Sequence, residues 1–260
     1  DEIEKLGITE YVAKKAKKIK KRRVNMSSEG DPPPNNIVEA LMGDRAEEWV
    51  TSIYKEFDGL IDQGVFSHNH TMKDLQEQGI KGKPVPCSVC LTHKWKDGIL
   101  EKLKTRICIA GHRGNVTQGI HYSDVFAASP VQHTEKFLQA LRVHYHLYNL
   151  CFDVSMAYTW APLPPGERIA VIYPDGFKRT HEETGEELFL ILEKNLYGMP
   201  SAARGWGKHR DKFILTHFND YTEGWRCHQS YSDPCLFIID RWKPTNPKQA
   251  NPFKSGRVRG

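Results

Sequence analysis

The chain lacks any apolar run approaching the roughly eighteen residues a membrane-crossing helix needs, so no spanning segment is expected. Cysteine is sparse. Six residues, at 87, 90, 108, 151, 227 and 235, are scattered through 260 with no apolar leader, which excludes a disulfide scaffold and points to reduced thiols in an intracellular protein. No two aspartates are adjacent, and there is no internal repeat. Strand and helix patterns do not alternate regularly, which disfavours a doubly wound sheet and leaves an α+β fold. There is also no initiator methionine: a start at Asp1 and a polar tail lead to the expectation of a segment cut from something longer.

What is present suffices for a core. Apolar residues make up 39% of the chain and aromatics 10%, which excludes a disordered protein. Lys and Arg number 37 against 32 Asp and Glu, a net charge of +5, and eight of the cations fall between Lys14 and Arg23. Such a balance suits a polyanionic partner without separating nucleic acid from an acidic membrane face. Residues 1–34, basic and then rich in Ser, Gly and Pro, read as a linker. Its basic run fits a nuclear localisation signal, a nucleic-acid tether or a solvated helix face. Residues 35–240 carry the folded pattern, and 241–260 read as a polar tail or insertion.

From Asp44 the spacing turns helical. Asp44 and Glu47 have capping-box spacing, and Trp49, Val50, Ile53, Phe57, Leu60 and Ile61 recur at three- and four-residue steps. His68 and His70, among polar neighbours, read as a loop. Asp97-Gly98 is a hairpin turn between strands spanning Pro86 to Ala110. A two-residue turn sets Lys102, Lys104 and Arg106 opposite His93, Leu91 and Val89, a basic ribbon. Helices are predicted over Glu135 to Tyr148 and from Ser201, which can cap the second. Further strands are predicted at Leu147 to Val154, Ile169 to Tyr173, Leu188 to Leu192 and Cys235 to Ile239.

Asp153 closes the first of those strands, and a carboxylate in apolar surroundings is costly unless a cation or donors compensate. By pattern alone a turn or capping role is the simpler explanation, with metal ligation the other. The run from Leu196 to Trp206 joins a Gly turn to a helix start bearing Arg204, where free N–H groups and the positive dipole end suit a phosphate. With the ribbon, three segments offer the cations, oriented N–H groups and carboxylate that a nucleoside triphosphate and its metal require.

Several motifs in order resemble the copia-type LTR retrotransposon reverse transcriptases. They are Glu39-Ala40 with Trp49, Glu56 and Leu60; Lys96-Asp97-Gly98 followed by Lys104 to Gly111; and Gln118 to Tyr122 with Asp124 to Phe126. After these come Asp153 to Tyr158, Tyr173 to Phe177, Leu196-Tyr197-Gly198 with Ala203, Arg204 and Trp206, and Ser232 to Phe237. The resemblance runs from about Val38 to Asp240. It implies a right-hand polymerase, fingers plus a partial palm incomplete at the C-terminus, forming part of a polyprotein with integrase and RNase H. The implied activity is RNA-directed DNA polymerisation on an RNA or DNA template-primer with dNTP, using two Mg2+ (or Mn2+) ions. On this resemblance the catalytic Asp153 and the backbone carbonyl of Val154 are metal ligands, and Tyr158 lies under the sugar. Arg106, with Lys104 or a neighbouring lysine, grips the triphosphate, and Ser201 and Arg204 line the nucleotide site. The implied setting is a cytoplasmic particle or the nucleus, with no membrane.

The chain departs from the family pattern in three places. Pro200-Ser201 stands where the family has Lys-Gln, so the nucleotide-contacting glutamine is absent. Cys87 and Cys90 lie where a tryptophan is expected, and no aromatic-x-Asp-Asp motif follows Cys235 to Ile239. A single carboxylate does not hold two ions in catalytic geometry, so the chain is expected to be inactive by itself. The alternative is a degenerate or repurposed copy acting as a non-catalytic nucleic-acid-binding module. Cys87, Cys90, Cys108 and His112 mimic zinc spacing, but the ribbon register sets Cys87 opposite Cys108 and turns Cys90 away. Asp124 and Asp233 fit turn and capping duties as well as catalysis, and His144 and His146 read as core.

Overall fold

The computed structural model describes residues 32–112, 114–221 and 224–241. The basic run at Lys14 to Arg23 and the polar tail after Arg241 lie outside the described residues. The chain divides into two units: residues to Asp124 with Pro162–Ala202, and Val125–Ala161 with the chain from Ala203.

In the first unit, α1 (Ile37–Met42) and α2 (Ala46–Asp62) precede β1 (Phe66–His70) and α3 (Met72–Glu77). The hairpin of β2 (Val85–Lys96) and β3 (Ile99–Ile109) follows, then β4 (Ile169–Ile172) and β5 (Phe189–Leu192). The five strands lie in the order β1-β5-β4-β2-β3. All neighbours are antiparallel except β2 and β4, a mixed sheet in keeping with α+β. Trp49, Ile53, Phe57 and Leu60 form one buried stripe on α2 because their three- and four-residue steps stay on one helical face, which packs on β3. Val171 and Leu190 to Leu192 are buried as continuous apolar runs, as expected of strands with neighbours on both sides.

Three local expectations need correction here. The Asp44–Glu47 capping box does not form; Arg45 precedes the helix and pairs with Glu48, Nη2 to Oε2 at 2.6 Å. A capping box forms one helix later, where Thr71 Oγ1 accepts from the Asp74 N–H and Asp74 accepts from the Thr71 N–H. His68 and His70 belong to β1, not a loop. An edge strand needs only one face buried, and Phe66 supplies it, so the polar run gives no alternation to read.

The third correction concerns the ribbon. Asp97 and Gly98 both have positive φ, 51° and 76°, the two-residue turn whose twist suits a hairpin. Trp95 pairs with Leu100, but an irregularity then leaves Glu101 unmatched and shifts every later pair by one residue. Lys102, Lys104 and Arg106 therefore lie opposite Lys94, Thr92 and Cys90. The slip moves Lys94 onto the basic face and leaves Leu91 and Val89 beside Thr105 and Ile107.

β3 ends the sheet, and its outer backbone groups are covered from α2. Ser52 Oγ accepts from the Thr105 N–H at 3.1 Å and donates to the Leu103 carbonyl, while Glu56 accepts from the Ile107 N–H at 3.4 Å. An edge that would otherwise template pairing with another strand is thus capped by two side chains.

The second unit holds α4 (Gln132–His144), a 3₁₀ turn (Ala157–Trp160), most of α5 (Ala202–Thr216) and the hairpin of β6 (Trp225–Gln229) and β7 (Phe237–Arg241). Leu147 to Val154 is not the buried strand expected. It is irregular and exposed, with Leu150 86% and Phe152 84% accessible. Ladder bonds define a strand, and among the described residues the only sheet in this unit is β6–β7. α4 begins three residues before the predicted start and ends at His144, four before the predicted end, and none of its residues is buried, so His144 is not core; His146 follows it in a left-handed turn. The last strand is displaced two residues, to Phe237–Arg241, and its partner β6 was not expected.

Candidate functional site

Two glycines draw distant motifs together in the first unit. Ile109 N–H donates to the Tyr197 carbonyl at 2.8 Å, closing β3 onto the turn before Gly198. A Cβ on Gly198 would lie 1.9 Å from the Ile109 oxygen, and one on Gly111 would lie 2.0 Å from the Gly198 oxygen. Gly198 also has φ of +90°, so both the space and the backbone demand glycine. The junction places the Tyr197 ring 5.6 Å from the Arg106 guanidinium carbon, a cation–π contact that fixes the arginine on the basic face.

That face carries Lys94, Lys102, Lys104 and Arg106. Lys104 has its pKa lowered, first by partial burial and then by Arg106, Lys94 and Lys102, with Glu56 opposing. Ammonium groups crowded this way favour a bound polyanion. Glu56 is pushed upward by burial, against the Ile107 N–H and the nearby Lys104 and Arg106. Lys94, Tyr197 and Glu56 were the participants sequence reasoning gave no role. A bulge-free register hid Lys94, and a contact between distant segments hid Tyr197.

In the second unit Asp153 and Val154 lie in the exposed irregular stretch. The turn after them is well defined: Met156 is left-handed at φ 52°, and its carbonyl accepts from both the N–H and the hydroxyl of Thr159. The Trp160 indole donates to the Ser155 carbonyl at 3.2 Å. Tyr158 sits inside this turn, half-buried. The turn expected after Asp153 is present, whereas the strand before it is not. Arg204 lies in the first turn of α5 and donates to the Phe126 carbonyl at 3.2 Å, so part of its guanidinium is engaged.

Ser201, of the first unit, precedes α5 but does not cap it through its side chain. Its hydroxyl is buried without a hydrogen-bond partner among the described residues. Asp233 has a capping role instead. It is buried and accepts from the Val131 and Cys235 N–H groups at 3.0 and 2.9 Å, tying the β6–β7 loop to the start of α4. The Val131 N–H bond, the Thr134 hydroxyl and the Cys235 N–H bond hold its pKa down.

The corrected register pairs Cys108 with Ser88 and Cys87 with Ile109, so Cys90 and Cys108 share a face and Cys87 does not. Burial, then Cys90, raises the Cys108 thiol to about 12. Among the described residues no three His, Cys, Asp or Glu side chains gather as a metal-binding group. The described residues therefore gather no zinc ligand set, and Asp153 is one of the several ligands that the implied two-ion site requires. Nor is any helix among them long and apolar enough to cross a membrane.

The profile of the reverse transcriptase (RNA-dependent DNA polymerase) family matches residues 70–229. This chain belongs to that family. Among curated proteins it is similar to the retrovirus-related Pol polyprotein from transposon TNT 1-94 of Nicotiana tabacum, 24% identical over 211 residues, covering 80% of this chain. The chain spans 14% of that relative's length. Both matches accord with the resemblance to copia-type retrotransposon reverse transcriptases.

Proposed function

We propose that this chain is the fingers and partial palm of an RNA-directed DNA polymerase from a retrotransposon polyprotein, and that its first unit binds the phosphates of nucleotide and nucleic acid. The observation that carries this reading is the basic face. Four cations share one side of the β2–β3 ribbon, and Arg106 is held there by Tyr197 through a junction built from two family motifs. In the first unit Lys104 and Arg106 grip a triphosphate and Ser201 contacts the nucleotide; in the second, by the family resemblance, Tyr158 lies against the sugar of a deoxynucleotide and Arg204 contacts the nucleotide. Asp153, with the Val154 carbonyl, contributes one ligand to the Mg2+ or Mn2+ ions of the complete enzyme. When bound, those ions supply activation of the primer hydroxyl and charge neutralisation at the triphosphate. Integrase and RNase H segments of the polyprotein accompany the domain, in a cytoplasmic particle or the nucleus.

A second reading, a non-catalytic nucleic-acid-binding module, is favoured by the donor set, because among the described residues no group of three or more His, Cys, Asp or Glu side chains gathers at Asp153. Primer extension separates the two. The 260-residue chain is expected to show none, while a chain extended along its reading frame to an aromatic-x-Asp-Asp motif extends a primer and loses that activity on Asp153→Asn. Retained extension in the Asp153→Asn protein overturns the role of Asp153. Absence of the paired-acid motif from the parent gene selects the binding module.

A further inference from the structure

The end of the β2–β3 ribbon carries an aromatic feature that the phosphate-binding face does not use. Trp95 is 49% accessible, directly before the Lys96-Asp97-Gly98-Ile99 tip. It is not a loose side chain. The His93 ring meets the Trp95 indole edge-on at 6.1 Å, and His93 in turn stacks on Trp49 at 5.7 Å and 21°. Trp49 is 3% accessible, so a ladder of three rings runs from the buried face of α2 to the exposed end of the hairpin. An indole held this way presents area without the entropy cost of ordering a free side chain.

The surroundings of Trp95 select the occupant. Lys94, Lys96 and Lys102 are all exposed, and Lys94 pairs with Lys102 across the ribbon next to the Trp95–Leu100 pair. Between Lys94 and Lys104 the acids of the hairpin are Asp97 and Glu101. Alternation puts the lysines on the opposite side of the ribbon from Trp95, so a ligand touching both must be thin and flexible enough to cross the tip. A duplex is too stiff and keeps its base faces stacked inside. A single strand meets both conditions, with phosphates on the lysines and one unstacked base on the indole.

We infer that Trp95 is a base-stacking platform for single-stranded nucleic acid, with Lys94, Lys96 and Lys102 holding the adjoining phosphates. The inference deepens the nucleic-acid reading above and rests on it. Base–aromatic stacking tolerates any sequence, so this site favours single strands over duplex without sequence preference.

The test is fluorescence anisotropy of the 260-residue chain with a labelled oligothymidylate and with a duplex of equal length, at low salt. Trp95→Ala is expected to weaken single-strand binding about tenfold and leave duplex binding unchanged. Trp95→Phe, which retains a ring and guards against a folding defect, retains most of the affinity. Equal losses for single strand and duplex, or equal losses for Ala and Phe, overturn the platform. Wild-type single-strand affinity in Trp95→Ala also overturns it and leaves the exposed indole to a protein partner. Failure of the unaltered chain to bind either nucleic acid rejects the underlying nucleic-acid reading.

Discussion

The two units carry similar apolar patterns and treat them differently. On α2 the stripe of Trp49, Ile53, Phe57 and Leu60 is buried, with Ile53 and Leu60 fully so. On α4 Phe137, Leu138 and Leu141 recur at comparable steps, yet no residue of that helix is buried and Phe137 is 61% accessible. Periodicity identifies a helix and the face that could pack, whereas burial depends on a partner surface. α2 has the β2–β3 ribbon against it, so its stripe contributes to a core. In the second unit the buried Asp233 and Asn219 are tied by hydrogen bonds around the β6–β7 hairpin, Asn219 to both backbone groups of the buried Cys227, while Thr159 and Ala161 are buried at the turn after Asp153.

The sharpest way to break this contrast is at the glycine junction. Gly198→Ala would force a Cβ into the Ile109 carbonyl at a backbone angle that L residues avoid, so a loss of at least about 3 kcal/mol is expected. Urea unfolding of the purified protein measures it. A loss under about 1 kcal/mol would show that the junction relaxes easily, and Arg106 would lose its fixed position on Tyr197.

A matched pair of truncations tests the units directly. Ile53→Ala empties a fully buried site and is expected to cost about 3 kcal/mol. Phe137→Ala removes a larger but exposed side chain and should change stability by less than about 0.5 kcal/mol. Comparable costs would mean that α4 packs against a surface in solution.

The smallest expected effect is a difference in pH response. Burial raises the Glu56 pKa, so its contribution is present below the ordinary carboxylate range and is lost as pH rises through the folded value. Asp233 is lowered, so its contribution is present above the ordinary range and is lost as pH falls through the folded value. Unfolding midpoints across the acid range should therefore diverge. The benefit of Glu56→Gln grows with rising pH, while the deficit of Asp233→Asn shrinks with falling pH, and parallel profiles for the two variants would contradict both assignments.

What the sequence made legible follows the same division. Strands β4 and β5, the α2 stripe and the Asp97-Gly98 turn were readable because each declares itself through local composition. The ribbon register was not, since a one-residue bulge at Glu101 leaves no compositional mark yet exchanges the faces. β1 was missed because a polar edge strand has no alternation, and the strand expected at Leu147 to Val154 failed because an apolar run without a pairing neighbour forms no ladder. The role of Asp233, one of the motif acids, became readable only from where its oxygens point.

The most direct test of the central claim, that the first unit presents a phosphate-binding face, is the salt dependence of oligonucleotide binding. For the unaltered chain the logarithm of affinity should fall linearly with the logarithm of salt concentration. Replacing Lys94, Lys102, Lys104 and Arg106 together by Gln should reduce that slope by about 0.7 for each phosphate of a single strand that is no longer neutralised. An unchanged slope in the fourfold variant would contradict the assignment of this face.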